Sequence, residues 1–269
     1  ALSDYRRARD ANARASDAAL KQGATFERAL ALQQQCWVNR NLGQLDAARD
    51  AGTQSQAIFE ENRNVRGQAR SLTCVAVVLS DKGDLGPAQQ MYEKALSLVQ
   101  SIGARLDIAG ALVNIGNMLA AEGKLEESTA RYQQALEVAK DIDDKADQQK
   151  AQSNIGVNLQ ILGELRKSQA ALESALEISR AIGAQQSTAA TLVNLASVYL
   201  MVGEVSRAES SAKEALSISR SLGLRADIAG ALAVAADVQL AQDDLAAAAK
   251  SYAESAEIRK QLGDPSAIA

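Results

Sequence analysis

Three asparagines, Asn114, Asn154 and Asn194, follow one another at a constant interval. A carboxamide donates and accepts hydrogen bonds at once, so each is a recognition group. Groups able to do acid–base or covalent chemistry are scarcer. The chain has no histidine, which excludes an imidazole base and every histidine-ligated metal centre. Its two cysteines, Cys36 and Cys74, lie far apart in the chain with no further thiol. That is too few for a disulfide framework or a zinc knuckle, so the spacing predicts reduced thiols in an intracellular setting. No glycine-rich phosphate loop, nucleophile elbow or paired-carboxylate motif occurs. No catalytic residue, metal ligand or cofactor is therefore expected, and the chain reads as a non-enzyme.

Composition narrows the partners. A net charge of −4 leaves no basic footprint for nucleic acid or an anionic membrane surface. The apolar run 75–79 is far too short to span a bilayer, and residues 1–7 lack the apolar core of a signal peptide. A cytoplasmic protein is expected. Aromatic residues make up only 3% of the chain, which argues against a single deep core, because such cores lean on large rings for buried area.

The elements that must position these residues show in the glycines. Gly43, Gly83, Gly123, Gly163 and Gly203 recur at the same interval as the asparagines, with Asp243 in the next slot. A second set, Gly23, Gly103, Gly183, Gly223 and Gly263, lies halfway between, with Arg63 and Asp143 filling its gaps. Strict self-similarity at a period of this size is the mark of a stacked array. The columns between the glycines alternate at three and four residues, the spacing of one helix face. In the first half-repeat, Leu72, Leu112, Leu192 and Leu232 precede Val75, Ile115, Ile155 and Leu195, followed by the small residues Ala76, Gly116, Gly156, Ala196 and Ala236. In the second, Ala48, Ala88, Ser128, Ser168, Ala208 and Ala248 precede Tyr92, Tyr132, Leu172 and Tyr252. Each repeat is thus an antiparallel helix pair, about 24–42 and 45–61 in the first copy, stopped by positive-φ residues. A side chain larger than a methyl group in the 76–236 column would block close helix approach.

The pattern Leu112, Ile115, Gly116, Leu119, Gly123, Leu125, Ser128, Tyr132, Ala135, Leu136 resembles the tetratricopeptide repeat. The resemblance covers essentially the whole chain in repeats at 24–62, 64–102, 104–142, 144–182, 184–222 and 224–262. A half repeat at 1–22 precedes them, and 263–269 is a tail or the opening of another unit. At roughly 40 residues the repeat is longer than the common unit of about 34, and is similar to those of kinesin light chains and many bacterial regulators. The resemblance implies an all-α fold, a single right-handed α-α superhelix. Both ends cut through repeats without a clear polar cap, so an excised region of a larger protein is expected, with self-association through the uncapped ends.

In such a fold the first helices line a concave groove. The family pattern places Asn114, Asn154 and Asn194 on an inward column, where an asparagine pairs with ligand backbone or with the neighbouring repeat. Asn117, Gln160 and Ser197 add polar spots. Val113, Val157, Val193 and Met201 supply an apolar floor, and Trp37, the only tryptophan, sits inward as an anchor. Cys74 falls on the asparagine column and Cys36 on the small-residue column. Arg40, Arg70 and Lys150 lie in different columns, so no carboxylate clamp is expected. Asn158 stands out in a column of Val38, Val78, Met118, Val198 and Val238, because a buried amide needs a partner. The function implied is binding a protein or peptide segment in the groove. The alternative is the sensor solenoid of a bacterial signalling or transcription protein, binding a small effector or an attached kinase or DNA-binding domain.

Overall fold

A computed structural model describes residues 2–263, side chains from Asp4 onward. These residues form thirteen α-helices and no strand: α1 (Leu2–Lys21), α2 (Thr25–Asn41), α3 (Leu45–Glu61), α4 (Val65–Asp81), α5 (Leu85–Ser101), α6 (Arg105–Ala121), α7 (Leu125–Asp141), α8 (Lys145–Ile161), α9 (Leu165–Ala181), α10 (Gln185–Met201), α11 (Val205–Leu222), α12 (Arg225–Ala241) and α13 (Leu245–Leu262). The chain divides between Ile142 and Asp143 into two compact units, the first holding α1–α7 and the second α8–α13. In the first unit α2 pairs with α3, α4 with α5 and α6 with α7, and α3 packs on α4 and α5 on α6. In the second, α8–α9, α10–α11 and α12–α13 are the pairs, linked through α9–α10 and α11–α12. The expected further repeat beyond Gly263 lies in 264–269, outside the described residues.

Every helix is followed by a left-handed residue. Ten are the glycines of the two sequence columns. The other three are Arg63 (φ 55°), Asp143 (φ 53°) and Asp243 (φ 62°), the residues that fill the glycine gaps. At Gly43 the reason is visible in the hydrogen bonds. Its N–H donates to the Arg40 carbonyl at 2.9 Å, and the next N–H, of Gln44, reaches back to Asn39 at 2.8 Å. This closes off the last carbonyls of α2 in the left-handed C-terminal motif. Three helices begin with a side-chain cap: Asn64 accepts from the Gly67 N–H, Asp144 from Asp147 and Asp244 from Ala247.

Within each pair the helices meet at the small-residue column. Leu72, Leu112, Leu192 and Leu232 are buried, as are Val75, Ile115, Ile155 and Leu195. A methyl group is already too large at two of the crossings. A Cβ on Gly116 would stand 2.4 Å from the Tyr132 ring, and one on Gly156 would stand 2.5 Å from Leu172. The same crossings are clasped by serines, for Ser128 donates to the Gly116 carbonyl at 2.8 Å and Ser168 to that of Gly156 at 2.7 Å. At these two crossings the bound on side-chain size is tighter than the methyl group allowed by sequence, whereas Ala76, Ala196 and Ala236 fill the same column and are fully buried. Tyr252 departs from its column. It is half-exposed on α13, and its phenol donates to Asp237.

Two stability outcomes follow, both readable by urea or thermal unfolding. Arg63→Gly removes the cost of a side chain at positive φ, less the extra chain entropy of glycine, and is expected to stabilise by about 0.5–1 kcal/mol. Gly116→Ala forces the Tyr132 ring away from α6 and is expected to destabilise by about 1–3 kcal/mol.

Candidate binding site

The helix pairs bury one face of each first helix against second helices. In the first unit the opposite faces of α2, α4 and α6 border a cleft of about 350 Å³. Helix α2 contributes Gln33, Gln34 and Trp37, α4 contributes Ala69, Arg70 and Thr73, and α6 contributes Leu106, Gly110, Ala111 and Asn114, with Ala95 and Val99 of α5 also lining it. The cleft arises because α2 packs directly on α4, whereas α4 and α6 are held less closely. It brings together Trp37 and Asn114, two residues singled out by sequence. Trp37 is half-buried and also packs on a cluster containing Leu32, Ala48 and Val78, so its ring is fixed while its outer part borders the opening.

Charge enters from α4. Arg66 meets Asp107 of α6 at 2.7 Å, and Arg70 meets the other carboxylate oxygen at 3.1 Å. The carboxylate is largely covered, while both guanidinium groups are half-exposed. The other two cations considered from sequence are engaged as well. Arg40 is paired with Asp81 at 2.6 Å and Lys150 with Asp147 at 2.8 Å. Asp81 and its charge-assisted hydrogen bond hold the Arg40 guanidinium above its usual range against the opposing effect of burial.

The thiol reading needs correction. Cys36 and Cys74 are not free: they form a disulfide between α2 and α4, with Cα atoms 6.4 Å apart, inside the range a disulfide requires. Both are fully buried, so Cys74 does not face the groove. The signal was in the register, because a separation of 38 is one repeat less two, and this sets the cysteines opposite each other on successive first helices. The bond anchors the two cleft walls that carry Trp37 and Thr73.

In the second unit Asn154, Val157 and Gln160 lie on α8, and Val193, Asn194 and Ser197 on α10, all half-buried. Asn154 already interacts within the chain. Ser197 donates to the Val193 carbonyl of its own helix at 3.3 Å. Gln160 directs its amide N–H to the Met201 sulfur at 3.6 Å. That joins the ends of α8 and α10, where Ile161 and Met201 are 65% and 60% exposed. Asn158 is buried at 3% exposure and is not left without a partner. Back in the first unit, Val113 is half-buried, and the exposed Asn117 accepts the Tyr132 hydroxyl at 2.7 Å. That carboxamide is thus tied to the α6–α7 pair.

The most perturbed titratable cluster is an ion network of the second unit. Tyr199 donates to Glu173 at 2.9 Å, and Arg207 caps the Tyr199 ring at 4.1 Å while pairing with Glu173 at 2.7 Å. Burial and the adjoining Glu173 push the Tyr199 phenol up to about 12. Burial disfavours the Glu173 charge, yet hydrogen bonds from Gln169, Tyr199 and Arg207 hold its carboxyl below the usual range. These groups tie α9, α10 and α11 together and saturate one another, as structural ion pairs do. Among the described residues no three histidine, cysteine, aspartate or glutamate side chains converge on a metal-sized site. No described helix is long and apolar enough to cross a membrane.

Known proteins share this architecture. The tetratricopeptide repeat family model matches residues 107–181 and 147–221. The 43 kDa receptor-associated protein of the synapse from Tetronarce californica is 34% identical over 76 residues, a stretch that spans 28% of this chain and 18% of that protein. The crystal structure of BtubC (BKLC) from P. vanneervenii matches with a TM-score of 0.70 at 17% identity, covering 84% of this chain and 92% of that one. A Rap protein complexed with competence and sporulation factor matches with a TM-score of 0.66 at 15% identity, over 90% of this chain and 71% of that one. At such identities the two structures report the fold.

Two measurements check the site. Peptide mapping without reductant should return the Cys36 and Cys74 peptides linked, with no titratable thiol in the native chain. Replacing both cysteines by alanine releases a long loop and should lower unfolding stability by about 2–4 kcal/mol. For Glu173, whose folded pKa is depressed, the stabilisation is present above its unfolded pKa and is lost as pH falls through the folded one. Glu173→Gln should therefore flatten the acid limb of the stability–pH curve.

Proposed function

On a chain whose residues 107–221 match the tetratricopeptide repeat model, we propose a non-enzymatic module that holds a peptide or protein segment in the groove lined by its first helices. The observation that carries the reading is the first unit's cleft, where a fixed indole, an asparagine and two glutamines border apolar space. A concave, partly apolar site with a few placed amides is what recognition of an extended chain requires. Asn114 supplies the amide there. Asn154 and Asn194 occupy the same repeat position within the second unit and are assigned the same task. The Rap protein with this fold was solved in complex with competence and sporulation factor, so holding a partner is compatible with the architecture.

Panning a phage-displayed random peptide library on the folded chain tests this. Selected peptides should bind reversibly, and changing Asn114, Asn154 and Asn194 together to alanine should weaken them by about tenfold or more, since each lost amide contact is worth about 1 kcal/mol. Circular dichroism should stay unchanged. Failure to select any binder, or affinity indifferent to the triple substitution, would count against the reading.

A further inference from the structure

Within each unit a second helix meets the next first helix through one recurring pair of side chains. Between α3 and α4 the pair is Gly52 and Val75, where a Cβ on the glycine would stand 2.7 Å from the valine side chain. Between α9 and α10 it is Leu172 and Leu195, both fully buried in one cluster. The register gives Tyr92 and Ile115 between α5 and α6, and both are buried. At least one partner is large in each of these pairs. Between α11 and α12 the same two positions hold Ala212 and Ala235, a methyl group on either side.

The lost volume shows as a cavity of about 230 Å³, whose apolar floor is Ala212, Ala235 and Val238. Ala212 and Val238 are buried and Ala235 is half-buried. Helices close only partly over missing side chains, and an apolar void of about 150 Å³ already takes up a benzene ring. The mouth is polar. Gln242 donates to Glu209 at 2.8 Å, Lys213 pairs with the same carboxylate, and Ser251 donates to the Gln239 carbonyl at 2.9 Å. Among the described residues nothing bonds the Gln239 amide nitrogen or the Gln242 carbonyl oxygen. The mouth therefore holds a donor and an acceptor in reserve.

We infer that this cavity is a binding site for a small phenol, whose ring rests on Ala212, Ala235 and Val238 and whose hydroxyl meets Gln239 and Gln242. A hydroxyl donates and accepts at once, which matches the two unused groups. A ring of this size is what the register places at the corresponding position with Tyr92. The acids Glu209 and Asp244 border the cavity and disfavour an anionic ligand. The site lies between a second helix and the next first helix, and it shares no residue with the cleft of the first unit.

The test titrates p-cresol, the tyrosine side chain as a free molecule, into the whole chain while backbone amide shifts are recorded. Support requires saturable binding with Kd of about 1 mM or below and shifts gathered at 209–213 and 235–242. Ala212→Leu combined with Ala235→Leu rebuilds the Leu172–Leu195 pair. It should weaken p-cresol about tenfold or more and melt at or above the wild-type temperature, because it fills a void. If that double variant does not fold, Ala235→Val, which copies Val75, carries the same expectation alone. Toluene, which lacks the hydroxyl, should bind about fivefold more weakly. The Asn114, Asn154 and Asn194 triple variant should bind p-cresol like the wild type, so this site and the peptide groove can fail separately. Absence of saturable binding, shifts centred elsewhere, affinity indifferent to the filled cavity, or toluene bound as tightly as p-cresol would each overturn the inference.

Discussion

The fold depends on how closely two helices approach within a pair. At Gly116 against Tyr132 and Gly156 against Leu172 the approach is shorter than a methyl group permits. A serine hydroxyl from the second helix satisfies the carbonyl at each of these crossings. Burial is shared with the contacts between successive pairs, because each layer of the array has only its neighbours to pack against. Dispersion between many close atoms then takes the place that large rings hold in a deep core. The repeat period is the interval at which the chain must return to this crossing.

From that constraint the binding surface follows. A first helix that presses one face onto its partner leaves the other face without a partner inside the repeat. On that face Gly110 leaves open space where a side chain would stand, beside the buried Ala69 and Ala111 that also line the cleft. Gly110 and Gly116 lie on one helix and point to different sides, so one amino-acid type performs two opposed tasks. The disulfide between Cys36 and Cys74 adds rigidity where the cleft begins. Walls fixed before a ligand arrives lose less conformational freedom on binding.

Much of this was legible in the sequence, because the repeat register converts spacing into geometry. The glycine columns, with Arg63, Asp143 and Asp243 in their gaps, marked the left-handed turns. The leucine and small-residue columns marked the buried faces. The disulfide was missed because cysteines were weighed by number and local spacing, whereas their separation modulo the repeat places them on facing helices. The Arg66–Asp107–Arg70 cluster was missed for a related reason: it joins residues of successive first helices whose meeting depends on side-chain reach. Gly110 was invisible because a lone glycine in a helical pattern reads the same whether it makes room for a neighbour or for a ligand. Tyr252 followed its column in sequence but is exposed on α13, with Asp237 as its partner.

On the proposed reading, the cleft-lining faces of α2, α4 and α6 are the binding surface of the first unit. Backbone amide chemical shifts, recorded with and without a library-selected peptide, test it most directly. Perturbations concentrated at residues 33–37, 69–73 and 106–114, with the second helices α3 and α7 silent, are the expected result. Perturbations centred on those second helices, or on the interhelical turns, would contradict it.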